Sequence, residues 1–272
     1  MRKVKRIGVL TGGGDCPGLN AVIRAVVKTA SNDYDMEVIG FLDGYEGLIE
    51  NRFRTLDLRD MSGLLSKGGT ILGSSNRADP FNFPVMQGDD YVSLDRSAQG
   101  VLNFESLGLD ALIAIGGDGT MAASAGMVGK GLPIVGVPKT IDNDLWGTDV
   151  TFGFDSALGV ATEAIDRIHT TAQSHHRVML IEVMGRYAGW IALGSGLAGG
   201  GDIILLPEIP YDLSAICDQV KIAQFAGQKL LDCSCWRRSQ TGRGRDGCQT
   251  AYQELAGRHS PRRCLQPGGG TT

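Results

Sequence analysis

The chain has 272 residues, of which 42% are hydrophobic and 21% are charged. This composition supports a sizeable buried core and excludes wholesale disorder. The net charge of −4 argues against a generic nucleic-acid binder. No apolar run reaches the roughly 20 residues that a membrane span needs, and the N-terminal apolar run stops at Leu10. We therefore expect a cytoplasmic protein that binds neither nucleic acid nor membrane.

The first 229 residues alternate between short aliphatic runs and helical patterns, which is typical of α/β proteins. Glycine-rich turns follow several of the runs, at the positions where open parallel sheets bind ligands. The predicted strands are 7–11, 37–42, 111–115, 134–137, 178–183 and 203–206, and the predicted helices are 19–30, 157–168, 187–197 and 213–223.

The first glycine-rich turn, TGGGDCPGLN at 11–20, joins a predicted strand to a predicted helix. Glycines let the backbone approach a phosphate closely, and a helix N-terminus adds partial positive charge. The turn matches neither a Walker A motif nor GxGxxG. A purely structural glycine turn remains the alternative interpretation.

The second turn, IGGDGT at 115–120, places Asp118 among glycines at a second junction of strand and helix. A lone carboxylate in this setting suits a Mg²⁺ ion that keeps several waters and bridges nucleotide phosphates. The amides of Gly117, Gly119 and Thr120 can then cradle the phosphates. The alternative is that Asp118 simply caps the helix.

The third motif, VPKTIDND at 137–144, sets two carboxylates two residues apart at the end of a predicted buried strand. In phosphoryl transfer, one acid can take the proton of the attacking hydroxyl while another orients the hydroxyl or the metal. Asp142 and Asp144 are thus candidate catalytic residues, with a polar loop that forms an Asx turn as the alternative.

The fourth motif, EVMGR at 182–186, carries an arginine just beyond a predicted strand and behind a glycine. Arg186 is well placed to make a forked contact with an anionic substrate. The alternative is an ion pair at the surface.

Together these motifs resemble the 6-phosphofructokinase family. The resemblance covers about residues 5–215, in family order, and PKTIDND with MGR downstream is its most specific part. The resemblance implies an α/β fold with Rossmann-like three-layer domains and a truncated second domain. The matching stretches are IGVLTGGGDCPGLNAVIRAVV, GGTILGSSNR, AIGGDGT, PKTIDNDLWGTDVTFGFDSAL, HHRVMLIEVMGRYAGWIAL and DIILLPEIP.

The family resemblance implies phosphoryl transfer from ATP to the 1-hydroxyl of fructose 6-phosphate, with Mg²⁺ held by Asp118. Asp142 would be the general base and Asp144 its partner. Arg177 would reach the substrate of a neighbouring subunit, which implies a homo-oligomer, a dimer or a tetramer. The implied donor-binding residues are Gly14, Arg77, Gly117, Asp118, Gly119 and Thr120, and the implied substrate-binding residues are Thr140, Ile141, Asp142, Arg177, Met184, Gly185 and Arg186.

Two positions bear on the identity of the phosphoryl donor. Relatives that use pyrophosphate typically carry Asp where this chain has Gly119 and Lys where it has Lys139, whereas bacterial ATP enzymes usually carry Gly at both. Gly119 leaves room for a nucleoside, so we expect ATP. A pyrophosphate-dependent transferase is the alternative.

Residues 230–272 differ from the rest of the chain: they lack Val, Ile, Met, Phe, Lys and Asn and hold four of the six cysteines. The organisation we predict is a donor domain at 1–140, a partial sugar-phosphate domain at 141–229 and an aberrant Arg- and Cys-rich tail at 230–272. A disordered basic tail and an Arg-rich appendage are alternatives to a frameshift near Gln228, which we favour. With the 6-phosphate clamp of the family missing, we expect weak or no activity, as in an inactive nucleotide-binding fragment.

Overall fold

The computed structural model describes residues 4–88, 90–175, 177–225 and 231–236. The chain divides into two compact units. The first unit comprises residues 1–141 and 145–153, and the second comprises 142–144 and everything from 154 onward. Among the described residues, no helix is both long and apolar enough to cross a bilayer.

The first unit is built on a six-stranded sheet of order β3-β2-β1-β6-β7-β8, in which only β3 runs antiparallel to its neighbour. A separate antiparallel hairpin is formed by β4 and β5. The elements are β1 (Arg6–Thr11), α1 (Leu19–Tyr34), β2 (Glu37–Phe41), α2 (Tyr45–Glu50), β3 (Phe53–Leu56), β4 (Phe83–Gln87), β5 (Asp90–Leu94), α3 (Ser97–Ser106), β6 (Ala111–Gly116), α4 (Asp118–Gly129), β7 (Ile134–Thr140) and β8 (Phe152–Gly153).

Helices cover both faces of this sheet. Successive side chains of a strand point to opposite faces, so one strand contributes to two core clusters. Val9 of β1 belongs to a core cluster that α1 completes with Leu19 and Ile23. Leu10, the next residue, belongs to the other cluster, to which α4 contributes Met127. The predicted α/β fold with helices on both faces of a largely parallel sheet is thus confirmed, and β3 makes that sheet mixed.

Strand order reverses direction between β1 and β6. β1 is followed to one side by β2 and then β3, while β6 is followed to the other side by β7. In open α/β sheets, a crevice forms beyond the carboxyl ends of the strands at such a reversal, and ligands bind there. The glycine-rich turns after β1 and β6 both lie at this point.

The second unit contains a three-stranded parallel sheet of order β10-β11-β9 with helices packed against it. Two glycines allow α5 and α6 to pack closely. A Cβ at Gly194 would lie 2.6 Å from the Leu158 side chain, and a Cβ at Gly199, the residue after α6, would lie 2.6 Å from the Ile165 side chain. The elements are α5 (Phe154–His175), β9 (Val178–Val183), α6 (Trp190–Ala198), β10 (Ile203–Leu205), α7 (Leu213–Phe225) and β11 (Leu231–Trp236).

The structure differs from the sequence interpretation at β11. We placed a domain boundary after residue 229 and expected no core element beyond it, but β11 lies between β10 and β9 and pairs with both. Leu231–Trp236 is thus a strand of the second unit's sheet, and the domain boundary at residue 229 stays a prediction. Leu231, Cys233 and Cys235 alternate with polar residues, a strand period that the change in composition obscured. The rest of the tail, residues 237–272, lies outside the described residues.

Candidate functional site

The turn after β1 packs its glycines directly against the start of α4. The Gly12 amide donates to the Ile115 carbonyl at 2.9 Å, across the point where strand order reverses. A Cβ at Gly12 would lie 2.5 Å from Thr120 Oγ1, and one at Gly116 would lie 2.3 Å from Thr120 Cβ. Only glycine fits at these two positions. The buried Thr120 side chain thus sets the distance between the two turns. The backbone amide is the group of Thr120 that can bind a phosphate.

A second loop, residues 70–77, closes over the turn after β1. Thr11 Oγ1 donates to the Gly73 carbonyl at 2.7 Å and lies 3.0 Å from Thr70 Oγ1. Ser74 Oγ donates to the carbonyls of Thr11 and Gly13. The Gly13 amide in turn donates to the Ser75 carbonyl at 3.1 Å. Side-chain and backbone bonds together join the two loops.

Asn20 of α1 fixes the start of this second loop. Its side-chain amide donates to the carbonyls of Lys67 and Gly68 at 2.9 and 3.1 Å, and its Oδ1 accepts from the Ile71 amide at 2.9 Å. The asparagine is 1% exposed. A buried side chain that satisfies three backbone groups holds the loop in one conformation.

The N-terminus of α4 is open to solvent beside these loops. Gly117 precedes the helix, Asp118 is its first residue, and both Asp118 and Gly119 are more exposed than Thr120. No atom lies within 4 Å of a Cβ built at Gly119. This helix end therefore presents backbone amides, a carboxylate and free space, which favours an anion accompanied by a cation.

A buried ammonium lies beneath the turn after β1. Lys139 of β7 is 4% exposed, and its Nζ donates to the Gly14 carbonyl. A Cβ at Gly13 would be 3.5 Å from the same Nζ. Burial raises the pKa of the neighbouring Cys16 thiol, and the positive charge of Lys139 opposes that rise. Lys139 extends β7 beyond the predicted end at 137.

Two cavities open on either side of the second loop. One of about 320 Å³ is lined by Gly13, Gly14, Asp15, Thr70, Ser74 and Asn76. The other, of about 410 Å³, is lined by Glu46, Glu50, Ser75, Arg77, Ala78, Phe83, Pro84 and Tyr91. The first has mainly backbone and small polar walls, which suit phosphate groups. The second combines aromatic walls with an arginine and two carboxylates.

The structure brings only some of the predicted site residues together. Gly14 lies with the first cavity, Arg77 with the second, and Gly117, Asp118, Gly119 and Thr120 form the adjoining helix end. Thr140 ends β7 and Ile141 follows it. Asp142 and Asp144 belong to the second unit, where Asp142 is partly buried with its Oδ1 shielded from solvent and Asp144 is exposed. Asn143 between them has a φ of 52°.

In the second unit, the predicted substrate residues separate to opposite ends of β9. Arg177 immediately precedes the strand, and Met184, Gly185 and Arg186 follow it. Six residues at about 3.3 Å each put roughly 20 Å between the two ends. Gly185 is required at its position, because a Cβ would lie 2.3 Å from the Ala188 carbonyl oxygen. Because Gly185 permits a bend after β9, α6 begins at Trp190 and not at the predicted residue 187.

Met184 and the two arginines present exposed side chains. Met184 is 63% exposed, and the Arg186 guanidinium lies 5.4 Å from the centre of the Tyr187 ring. Arg177 is exposed as well. All three side chains are therefore open to solvent.

Sequence reasoning missed several residues that shape the site. The site residues predicted from the sequence come from glycine turns and charged motifs. The residues missed are small polar ones in the stretch GGTILGSSNR, at 68–77, and in the first glycine-rich turn, at 11–20. Their signal was the density of hydroxyl and amide side chains beside three glycines at 68, 69 and 73. The residues are Thr11, Asn20, Thr70, Ser74 and Asn76.

A crevice with these features, at the strand reversal of a parallel sheet, is typical of α/β proteins that bind phosphate-bearing ligands. Comparison with known proteins makes this specific. The model of the family named Phosphofructokinase matches residues 6–231, and the chain belongs to that family.

Three similar proteins illustrate the relationship. The ATP-dependent 6-phosphofructokinase 2 of Clostridium perfringens is 57% identical over 231 residues, which are 85% of this chain and 63% of that relative. The T-state structure of Pichia pastoris phosphofructokinase is 32% identical, with a TM-score of 0.76 over 87% of this chain and 28% of that one. A pyrophosphate-dependent phosphofructokinase from Marinobacter aquaeolei shares the fold, with a TM-score of 0.73 and 23% identity over 93% and 66% of the two chains. This chain thus spans less than two thirds of the length of the curated relative.

Proposed function

We propose that this protein transfers a phosphoryl group from ATP to the 1-hydroxyl of fructose 6-phosphate, giving fructose 1,6-bisphosphate, the glycolytic reaction of the cytoplasm. The observation that carries the proposal is the crevice of the first unit. There, the glycine turn after β1 and the second loop line a cavity of about 320 Å³. The buried Lys139 ammonium donates to the Gly14 carbonyl of that lining, and the second glycine turn packs against the first through Thr120. The name of the 57% identical relative supports ATP as the donor.

In this proposal the first unit binds the donor. The backbone of Gly14 and of Gly117, Gly119 and Thr120 lines the phosphates, and Arg77 extends from the second loop. The partial positive charge at the start of α4 and the ammonium of Lys139 both favour a polyanion. The domain assignment 1–140 for donor binding follows the same reasoning.

The residues present fit a magnesium ion that arrives with the nucleotide. Among the described residues, no group of three or more His, Cys, Asp or Glu side chains forms a metal cage. Mg²⁺ needs no such cage, since it commonly takes one or two carboxylates together with waters and substrate phosphates. Asp118, exposed at the first turn of α4, would supply the carboxylate. The bound ion would neutralise charge on the transferring phosphoryl group.

The second unit would bind the sugar phosphate and supply the base. Asp142 would take the proton of the 1-hydroxyl as its oxygen attacks the terminal phosphorus of ATP, and ADP would leave. Asp144 would orient Asp142 or stabilise the transition state. The substrate contacts we propose are Asp142, Met184, Gly185 and Arg186 of this unit, together with Thr140 and Ile141, which belong to the first unit.

Arg177 has a different role in this proposal. It lies at the opposite end of β9 from Arg186, so both arginines cannot contact one small substrate held by this strand. That separation supports a contribution of Arg177 to the substrate of a neighbouring subunit, and hence a homo-oligomeric enzyme, a dimer or a tetramer.

Pyrophosphate is the second candidate donor, because Lys139 is the residue that pyrophosphate-using relatives typically carry at this position. A buried ammonium beneath the donor turn can hold a compact diphosphate as well as a nucleotide. Gly119, with no atom within 4 Å of its Cβ position, leaves the room that a nucleoside needs. We therefore keep ATP as the first candidate.

A coupled assay on the purified 272-residue chain tests the proposal. It contains fructose 6-phosphate and Mg²⁺ and receives either ATP or pyrophosphate, and calorimetry measures binding of each donor in parallel. Turnover with ATP supports the proposal. Turnover with pyrophosphate alone would identify pyrophosphate, not ATP, as the phosphoryl donor. Binding of ATP without product would identify a nucleotide-binding protein without turnover, and absence of both would overturn the proposal.

A further inference from the structure

Arg52, just before β3, is the centre of a four-residue ion cluster in the first unit. Its Nη1 lies 2.7 Å from Asp43 Oδ2, its Nη2 2.8 Å from Glu46 Oε1 and its Nε 2.8 Å from Glu50 Oε2. These contacts raise the pKa of the guanidinium, with the hydrogen bond to Asp43 as the largest cause. Each nitrogen of the fork thus has its own carboxylate, which fixes the orientation of all four side chains.

Asp43 is the member of this cluster that contacts the backbone of the second loop. It follows β2 with a φ of 55°, and its amide donates to the Leu72 carbonyl at 2.8 Å. A Cβ at Gly73 would lie only 2.2 Å from Asp43 Oδ1, so the carboxylate rests directly on the backbone of the second loop. The left-handed backbone of Asp43 is costly for a residue that is not glycine and needs support from its surroundings.

The next residue, Gly44, rests on the turn after β1. Its φ is 69°, and a Cβ there would lie 2.8 Å from the Thr11 carbonyl oxygen and 3.5 Å from Gly12 Cα. The Asp43–Gly44 turn therefore touches both loops that line the 320 Å³ cavity, one on each side. A change in the Asp43 side chain would alter the spacing between those loops.

We propose that Arg52 is a positioning residue for the phosphoryl donor. By fixing the Asp43 carboxylate, it holds the Asp43–Gly44 turn between the Thr11–Gly14 backbone and the second loop, and so sets the width of the donor cavity. Arg52 itself lines neither cavity. This inference rests on the proposed function for the identity of the donor, but the loop geometry is independent of it.

The matched control is Arg54, which lies two residues further along and belongs to β3. Its Nη2 pairs with Asp60 Oδ1 at 2.5 Å, and neither residue touches the donor loops or the cavities. R52A and R54A thus remove the same side chain from neighbouring positions. R52K keeps one positive charge but loses the three-way fork, and D43N keeps the shape of the carboxylate but loses its charge.

The first measurement is amide hydrogen exchange on the unliganded chain, which needs no donor. We expect R52A to exchange about ten times faster at the amides of Gly13 and Asp43, whose hydrogen bonds to Ser75 and Leu72 hold the second loop in place, because fewer contacts then resist local opening. R54A should match the wild type at these amides. Equal exchange in R52A and the wild type would overturn the inference, whatever ATP does.

The second measurement is steady-state kinetics with ATP. R52A should raise the KM for ATP about tenfold with kcat changed less than about threefold, since the variant alters donor binding rather than the reacting groups. R52K should be intermediate and R54A unchanged. Faster exchange with an unchanged KM would overturn the role in donor binding. If R52A fails to fold, D43N must reproduce its effects in smaller measure, and a normal D43N would overturn the inference.

The two proposals fail in different ways. A wild-type chain that neither binds nor turns over ATP overturns the proposed function and the donor role of Arg52 together. The exchange comparison of R52A with R54A then still decides whether Arg52 holds the loops.

Discussion

The buried ammonium of Lys139 donates a hydrogen bond to the carbonyl oxygen of Gly14, in the turn that follows β1. This contact joins the end of β7 to the glycine turn across the crevice where strand order reverses. Gly14 itself is exposed, so water can replace the ammonium as a partner of its carbonyl. The charge therefore matters more to a bound anion than to the fold.

Replacing Lys139 tests whether its charge serves anion binding more than stability. We expect K139M to weaken binding of both ATP and pyrophosphate at least tenfold, because it removes the buried positive charge next to Gly13 and Gly14. The free energy of unfolding should change by less than about 1 kcal/mol, since the desolvation cost of a buried charge offsets its hydrogen bond. Calorimetric titration with each donor and urea denaturation measure the two quantities.

K130M is the control, because Lys130 is exposed and lies 5.8 Å from the centre of the Phe81 ring, away from the crevice. It should bind both donors as the wild type does. A K139M variant with normal donor affinity would remove Lys139 from the donor site.

The open space at Gly119 gives a second prediction. G119D should fold normally, since no atom lies within 4 Å of the new Cβ. Its carboxylate would stand beside Asp118 at the start of α4 and repel the donor phosphates, so we expect ATP affinity to fall at least tenfold. Binding of ATP and the unfolding midpoint are the measurements.

Gly129 provides the matched control, as the last residue of the same helix with equally open surroundings. G129D should leave ATP affinity unchanged. G116A should instead destabilise the protein by a few kcal/mol, because its Cβ would lie 2.3 Å from Thr120 Cβ. Unaltered ATP affinity in G119D would contradict a donor site at this helix end.

The sequence carried enough information to predict the parallel α/β core and the position of the crevice. β1, β2, β6 and β9 are short aliphatic runs next to glycine or polar turns, and all four were predicted within one or two residues of their bounds. Burial of β1, β2 and β6 makes hydrophobicity a reliable signal for these three, whereas β9 is only half-buried. The two glycine turns at the strand reversal were also recognisable, because close packing against Thr120 admits no other residue.

Other elements depend on contacts between distant parts of the chain. The β4–β5 hairpin has exposed Met86 and Tyr91, and its alternation of side chains does not separate apolar from polar residues. The Arg52 cluster joins residues that look like ordinary surface charges until the fold brings Asp43 against Gly73. No local pattern predicts such a contact, since it is set by where β2 and the second loop meet.

Asp142 is the residue whose replacement should affect chemistry most selectively. As the proposed base, D142N should lower kcat by about 10²–10⁴-fold while ATP affinity stays within about twofold of the wild type. The coupled assay and calorimetric titration measure these effects. D33N, at an exposed position of α1, should leave both unchanged. Loss of ATP binding in D142N, or retention of full kcat, would contradict the proposed role.

The buried phenol of Tyr45 makes the stability of the fold sensitive to alkaline pH. Tyr45 is 3% exposed, and its hydroxyl lies 2.6 Å from Ser124 Oγ. Ser124 Oγ donates its own proton to the Thr120 carbonyl at 2.7 Å, so Tyr45 must be the donor to Ser124. Burial raises the pKa of Tyr45 to about 12 from 10.0, and Ser124, whose hydroxyl can turn to donate to the phenolate, opposes that rise. The fold therefore favours the neutral phenol.

Because the folded pKa of Tyr45 is the higher one, its contribution to stability is complete below pH 10 and is lost as the pH rises towards 12. A difference of about two pKa units corresponds to about 3 kcal/mol. The free energy of unfolding should therefore fall more steeply above pH 10 in the wild type than in Y45F, by up to that amount. Y34F, whose tyrosine is 56% exposed, should follow the wild type. Parallel curves for Y45F and the wild type in urea denaturation between pH 9 and 12 would mean that the buried phenol ionises as readily in the fold as in the unfolded chain.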